Sequence, residues 1–301
     1  FETLKTILVS DRITYDFAAG VPDIETIADV IYKYKHMNPN PQTIALERSI
    51  KEKVVDEFKF HDGVNLDNHR YLFQSLKALM VNRAETIWIF TSNYDLLFEM
   101  AAMQADIPIY NGFEGILHRY FNIDRLGLRY GYISSSRFRE FKEPNVKLIK
   151  LHGSISWYKD ELKIFESCDN NPQIPSEKAL ILPRKKKVLD SLEHPYDKMF
   201  KFANDVVGSK CRYLVSCGYS YRDEHINEQI IIPHLREGNI RLVALFKEAP
   251  STLDTLEQFP SFNYITKDKR RINGEEKEQR SGIWKFSKLV KLIREKAGLG
   301  E

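Results

Sequence analysis

Apolar residues recur at helical spacing near the start of the chain: Ile24, Ile27, Ala28, Ile31 and Tyr32 fall on one face. The stretch Asn38 to Pro41 (NPNP) interrupts this pattern, because proline cannot continue a helix and restricts the residue before it. The spacing predicts further amphipathic helices over Ile44–Phe58 and His69–Arg83. The pattern then changes. Thr86–Phe90 (TIWIF) is short, apolar and rich in β-branched and aromatic residues, as a buried parallel strand would be. Val146–Leu151 (VKLIKL), Tyr213–Cys217 (YLVSC) and Arg241–Phe246 (RLVALF) read as three more strands. Helical runs lie among them: Leu96–Gln104, Tyr196–Val207, and Glu224–Arg236 with a kink at Pro233.

Strands alternating with helices predict βαβ units and an α/β fold, a Rossmann-like parallel sheet flanked by helices, here expected to hold all four strands in one sheet. Two insertions interrupt the alternation, about 112–143 and 159–187. A closing helix is expected over Ile283–Lys296, with Phe286, Leu289, Val290 and Leu292 on its apolar face. No strong linker appears. The expectation is one domain over 1–301, with a mostly helical region (1–84), a nucleotide-binding core (85–250) and a C-terminal extension (251–301).

Composition changes this picture little. The chain has 301 residues, a formal charge of +3 and ordinary glycine and proline content. Its three cysteines (Cys168, Cys211, Cys217) form no CxxC pair, which argues against a disulfide framework and against a four-cysteine zinc module. A reducing, cytoplasmic compartment follows. No apolar run approaches the roughly 18 residues that span a bilayer. No metal-ligand spacing is visible: His225 and His234 stand nine apart with Pro233 between them. No metal is expected on these grounds. The acidic residues are too scattered to nominate a glycosidase pair. The basic runs Arg184–Lys187 and Lys267–Arg271 lack interleaved aromatics and read as solvated loops, which leaves nucleic acid binding open but weakly supported.

Each conspicuous polar cluster follows a predicted strand, where ligands of open parallel sheets bind. Thr91, Ser92, Asn93, Tyr94 and Asp95 follow the first strand. His152, Gly153 and Ser154 follow the second, and Gly218, Tyr219 and Ser220 follow the third. Each has a plain structural reading. Asn93 is a good cap for a helix starting near Tyr94. His152 is an ordinary structural histidine, and Ser220 with Asp223 resembles a capping box. Their occurrence together, in this order, favours a site.

TSNYD, LIKLHGSISW and SCGYSYRDEHIN, with NGFEG at Asn111–Gly115, resemble the motifs of the sirtuin superfamily over about Asp23 to Phe246. The similarity is greatest to the sirtuin-like subunits of bacterial anti-phage systems that partner a HerA-type ATPase. The resemblance implies NAD as substrate, Asn93 and His152 as catalytic residues, and NAD contacts at Thr91, Ser92, Asp95, Gly153, Ser154, Gly218, Tyr219, Ser220, Asp223 and His225. It implies hydrolysis of NAD+ to nicotinamide and ADP-ribose, a homo-oligomer and a HerA-type partner. Two departures stand out. The four-cysteine zinc module of sirtuin deacetylases is absent, which weighs against deacylation. The glycine-rich first loop is not recognisable in Ile7–Arg12, so it is expected before Phe1, with 2–24 as a helix and connection after it. Protein deacylation, ADP-ribosylation, a non-catalytic NAD-binding module and a nuclease subunit remain the alternatives.

Overall fold

The computed structural model describes residues 24–37, 39–58, 64–81, 85–116, 119–160, 163–167, 177–184 and 193–300. The expectations for residues 2–23, Cys168 and 185–187 lie outside these. In chain order the elements begin with α1 (Ile24–Met37), α2 (Pro41–Phe58) and α3 (Asp67–Leu79), then β1 (Thr86–Thr91) and α4 (Leu97–Gln104). The strands β2 (Ile109–Tyr110), β3 (Phe113–Glu114), β4 (Arg119–Phe121), β5 (Gly131–Ser134) and β6 (Arg137–Glu140) follow. Next come β7 (Asn145–Lys150), β8 (Gly153–Asp160), β9 (Lys163–Glu166), β10 (Glu177–Leu180) and α5 (Tyr196–Val206). The chain continues through β11 (Tyr213–Cys217), α6 (Glu224–Ile226), α7 (Ile232–Glu237), β12 (Arg241–Leu245) and α8 (Asp254–Glu257). It closes with β13 (Phe262–Ile265), β14 (Lys269–Ile272), β15 (Glu275–Glu278) and α9 (Phe286–Lys296).

The fold is α/β, with parallel strands flanked by helices. β11, β12 and β13 run parallel in that order, joined by helices in two successive βαβ units. β7 lies between β1 and β2, parallel to both. The single sheet expected from sequence is not formed: among the described residues the four strands divide between two sheets, β1-β7-β2 and β11 to β15. A common apolar core joins them. Ile149 and Leu151 pack in one cluster with Met199, Phe200 and Ala203 of α5 and with Leu242, Ala244 and Phe262. Burying side chains of this size contributes about 1.5–3 kcal/mol each, so the core can hold together what no shared ladder connects.

Local chemistry explains several boundaries. Asn40 starts α2: its Oδ1 accepts from Thr43 N–H at 3.0 Å, and Pro41 follows at the first helical position, where a missing N–H costs nothing. The kink expected at Pro233 is a π-turn, Asn227–Ile231, placed just before the proline between α6 and α7. Helix α9 docks on α3, with the Phe286 ring 4.8 Å from His69 and the Arg294 guanidinium 4.6 Å from the Tyr71 ring.

The two insertions form mainly strands among their described residues. They contribute β3, β4, β9 and β10, which join β8 in a five-stranded sheet in the order β10-β8-β9-β4-β3, whose described pairings are antiparallel. The hairpin β5-β6 stands apart from it. The basic runs also differ from the solvated loops expected. Arg184 is buried, with its guanidinium 3.4 Å from the centre of the Tyr32 ring. Arg271 is buried too and donates to the Phe262 carbonyl, whereas Lys267 and Lys269 form exposed ion pairs with Glu248 and Glu276. Among the described residues, no helix is long and apolar enough to cross a membrane.

Candidate active site

β1 and β7 end side by side because they pair in parallel register, Thr91 opposite Lys150. The loops beyond them are stitched together. Leu151 N–H donates to the Thr91 carbonyl at 2.9 Å, and Ile155 N–H donates to the Tyr94 carbonyl at 3.0 Å. Tyr94 is buried and its hydroxyl donates to the Ile181 carbonyl, while Ile181 N–H donates to the carbonyl of His152 at 2.9 Å. The loop carrying Asn93 and the turn carrying His152 are thus one hydrogen-bonded unit. Burial raises the Tyr94 phenol above its usual range, with the nearby Asp223 carboxylate adding to the effect.

Asn93 does not cap a helix. α4 begins at Leu97, and it is Asp95 Oδ1 that accepts the Leu97 N–H at 3.0 Å. Asn93 is exposed, and only its backbone is held locally, its N–H donating to Thr91 Oγ1 at 3.1 Å. Thr91, Ser92 and Asp95 are half-buried around it.

The third segment reaches the same place from the other sheet. Gly218 leaves β11 at φ +74° and Tyr221 turns the chain at φ +56°, a conformation unusual for a side chain with a Cβ. Two contacts hold Tyr221 there: its hydroxyl lies 2.7 Å from Ser216 Oγ, and its carbonyl accepts from Asn227 Nδ2 at 2.7 Å. The turn delivers Asp223 and His225 to His152. The Nε2 atoms of His152 and His225 lie 3.0 Å apart, and their rings are nearly parallel, 24° between planes. Both histidines are only 2% exposed. One donor atom from each of His152, Asp223 and His225 lies within 4.8 Å of the others.

The capping box expected from Ser220 and Asp223 does not form. α6 begins at Glu224, and the Asp223 side chain makes no capping bond. Ser220 is exposed and its carbonyl accepts from Thr252 Oγ1 at 3.2 Å. Tyr219 is half-buried, with its hydroxyl donating to Asn227 Oδ1 at 3.3 Å.

This geometry lies within a region with a known counterpart. Residues 88–263 match the family model described as the SIR2-like domain, from β1 through β13, so the match includes Asn93, His152, Asp223 and His225. The chain belongs to the SIR2-like family. Among solved structures, a mutant Sir2 homologue in complex with 2'-O-acetyl ADP ribose is similar at 15% identity and a TM-score of 0.36, over 86% of this chain and 80% of that one. No curated protein matches.

Ser154 lies beside the His152 turn, at the start of β8. It is wholly buried and belongs to a polar chain under the rim that the sequence did not disclose. Lys150, 1% exposed, pairs with Glu99 Oε1 at 2.7 Å and donates to Ser154 Oγ at 3.1 Å and to the Asp95 carbonyl. Burial raises the Glu99 carboxyl, and Lys150 opposes the shift. Ser154 Oγ lies 3.0 Å from Ser156 Oγ, which donates to Glu166 Oε1 at 3.2 Å. Glu166 also accepts from Asn111 Nδ2 at 2.9 Å and from Arg119. The sequence signal for this network was Lys150, the second of two lysines in the strand run VKLIKL.

Two glycines of the site separate packing from backbone strain. A Cβ on Gly153 (φ +86°) would stand 2.5 Å from the Ala179 carbonyl oxygen and 2.9 Å from Leu180 Cα, both backbone atoms. A Cβ on Gly218 would meet nothing within 4 Å. Gly218→Ala therefore carries mainly the left-handed penalty, about 1–2 kcal/mol. Gly153→Ala adds a clash between β8 and β10 and is expected to lower the melting temperature by clearly more; equal shifts would mean that β10 yields freely.

Proposed function

We propose that this chain hydrolyses NAD+ at the nicotinamide–ribose bond, giving nicotinamide and ADP-ribose. The observation that carries the reading is the convergence on His152 of three strand-end segments, one bearing exposed Asn93 and one bearing Asp223 and His225. Nicotinamide is cationic at its ring nitrogen while bonded to ribose and leaves neutral, so no general acid is needed. The enzyme must hold the ribose, stabilise an oxocarbenium-like transition state and admit water. Asn93 would orient a water or ribose hydroxyl. His152 would take a proton from a ribose hydroxyl. In the tautomer where His152 Nε2–H donates to His225, the basic lone pair lies on Nδ1, and the imidazolium formed stays hydrogen-bonded.

His152 is buried against His225, so the ribose must displace part of the 218–225 segment to reach it. A closed site of this kind suits an enzyme held off until triggered. The resemblance to the anti-phage group extends the proposal to a regulated, oligomeric defence effector with a HerA-type partner. Three cysteines cannot build the four-cysteine module of the deacetylases, so hydrolysis is favoured over deacylation.

The test is incubation of the purified chain, alone and with a HerA-type ATPase, with NAD+ and with NAD+ plus an acetyl-lysine peptide. Equimolar nicotinamide and ADP-ribose without peptide is the expected result. Nicotinamide release only with peptide would replace hydrolysis by deacylation, and no release under either condition would overturn the enzymatic reading.

A further inference from the structure

We infer that His152, His225 and Asp223 form a binding site for one divalent transition-metal ion, and that its occupancy shuts the candidate active site. Two nitrogens bound to one zinc ion at about 2.0–2.1 Å stand roughly 2.9–3.4 Å apart for bond angles between about 90° and 109°. The two Nε2 atoms already lie 3.0 Å apart. Neutral imidazole is a common ligand of zinc and its neighbours in the series, and a carboxylate completes the two-histidine, one-carboxylate set that leaves further positions for water. Asp223 supplies that carboxylate, with one oxygen within 4.8 Å of a ring nitrogen of each histidine.

The surroundings support the assignment. Both rings are buried and fixed, His225 by packing against Phe200 at 5.2 Å between ring centres, so little conformational freedom is lost on binding. The Asp223 charge offsets part of the ion's charge in a poorly hydrated place. The residues stand on two different loops, one after β7 and one after β11, so the ion would clamp the third segment over the His152 turn. A metal-bound His152 has no lone pair to spend on a ribose proton. The inhibitory consequence rests on the proposed role of His152 as a base; the binding itself does not.

The full-length chain, stripped with a chelator, is titrated calorimetrically with zinc alongside His225→Gln, His225→Ala and Asp223→Asn, with melting temperatures recorded. One zinc per wild-type chain is expected, with affinity lowered at least about a hundredfold in the His225 variants, beyond what loss of a supporting outer group costs. The glutamine variant keeps the bulk of the side chain and decides the matter if alanine unfolds the turn. Cobalt substitution is expected to give weak visible bands without the near-ultraviolet thiolate band, which separates this site from Cys211 and Cys217. No zinc uptake, undiminished uptake by a folded His225→Gln, or a thiolate band would overturn the site. Wild-type nicotinamide release is expected to fall with zinc and to return on chelation. Zinc bound through His225 without loss of activity would overturn the inhibitory step alone. Zinc bound by a chain that never releases nicotinamide would support the site and count against NAD hydrolysis.

Discussion

Asn93→Ala is expected to lower nicotinamide release by about a hundred- to a thousandfold, the cost of removing one preorganised polar group from a transition state, with no change in melting temperature. The stability half of this expectation comes from the geometry. Asn93 is exposed, and only its backbone N–H is engaged, with Thr91 Oγ1. Truncating it opens no cavity and removes no bond at the start of α4, where it is Asp95 Oδ1 that accepts the Leu97 N–H. His152→Ala is expected to cost about a hundred- to ten-thousandfold in rate, the usual worth of a general base, and it will not leave stability untouched. His152 is buried, and its loss removes the partner of His225 Nε2, a penalty of about 1–3 kcal/mol for a buried polar group. The double variant is expected to fall little below His152→Ala, since groups that serve one transition state act as a unit. Rates with and without the activating partner, together with thermal melts, check all three. Full activity in Asn93→Ala removes that residue from the mechanism. A collapsed melting temperature in the same variant would make Asn93 a structural residue.

The largest effect on stability is expected at Glu166, remote from the rim. Its carboxylate accepts from Asn111, Ser156 and Arg119 and is 6% exposed. Glu166→Ala leaves the Arg119 guanidinium facing buried polar groups without its counter-charge. Arg119 keeps 34% of its side chain exposed, so water meets part of its charge, but Asn111 Nδ2 and Ser156 Oγ each lose a buried acceptor at about 1–3 kcal/mol. Glu166→Gln keeps the acceptor oxygen for Asn111 or Ser156 and is expected to lose less. Lys267→Ala, at the exposed pair with Glu248, is the control and is expected to stay within about 0.5 kcal/mol of wild type. Because Glu166 joins Ser156, Ser154 and Lys150, the change should also loosen the turn behind His152. A Glu166→Ala protein that melts like Lys267→Ala would mean the network contributes nothing net.

The helices and parallel strands were legible because their signals are local. Period 3.6 places Ile27, Ala28 and Ile31 on one face of α1, and β-branched, apolar runs mark β1 and β11 within a residue or so of their ends. The antiparallel sheet was not legible. Its strands β3, β4 and β9 are two to four residues long and carry Glu114, Arg119 and Glu166; Arg119 meets Glu166 across the sheet, and Glu114 meets Arg125 beyond it. Read singly, they look like polar loop. Strand ends also nominated Asn93, His152 and Gly218 to Ser220, because polar residues just beyond buried strands are where a parallel sheet opens to ligand, and the family resemblance added Asp223 and His225.

Which of these residues meet was decided by tertiary structure alone. A search for metal spacing compares neighbours in the chain and finds His225 and His234, whereas His234 turns to Asn204 and Asn239. The true neighbour of His225 is His152, 73 residues away, brought there because parallel strands in two sheets end on one shared core. Likewise Ser154 and Asp95 carry the right chemistry for a ligand. The fold buries Ser154 in a hydrogen-bonded polar chain and engages Asp95 with the Leu97 N–H at the start of α4. Residue type and strand ends fixed the candidates; distance, burial and the demand that every interior polar group find a partner chose among them.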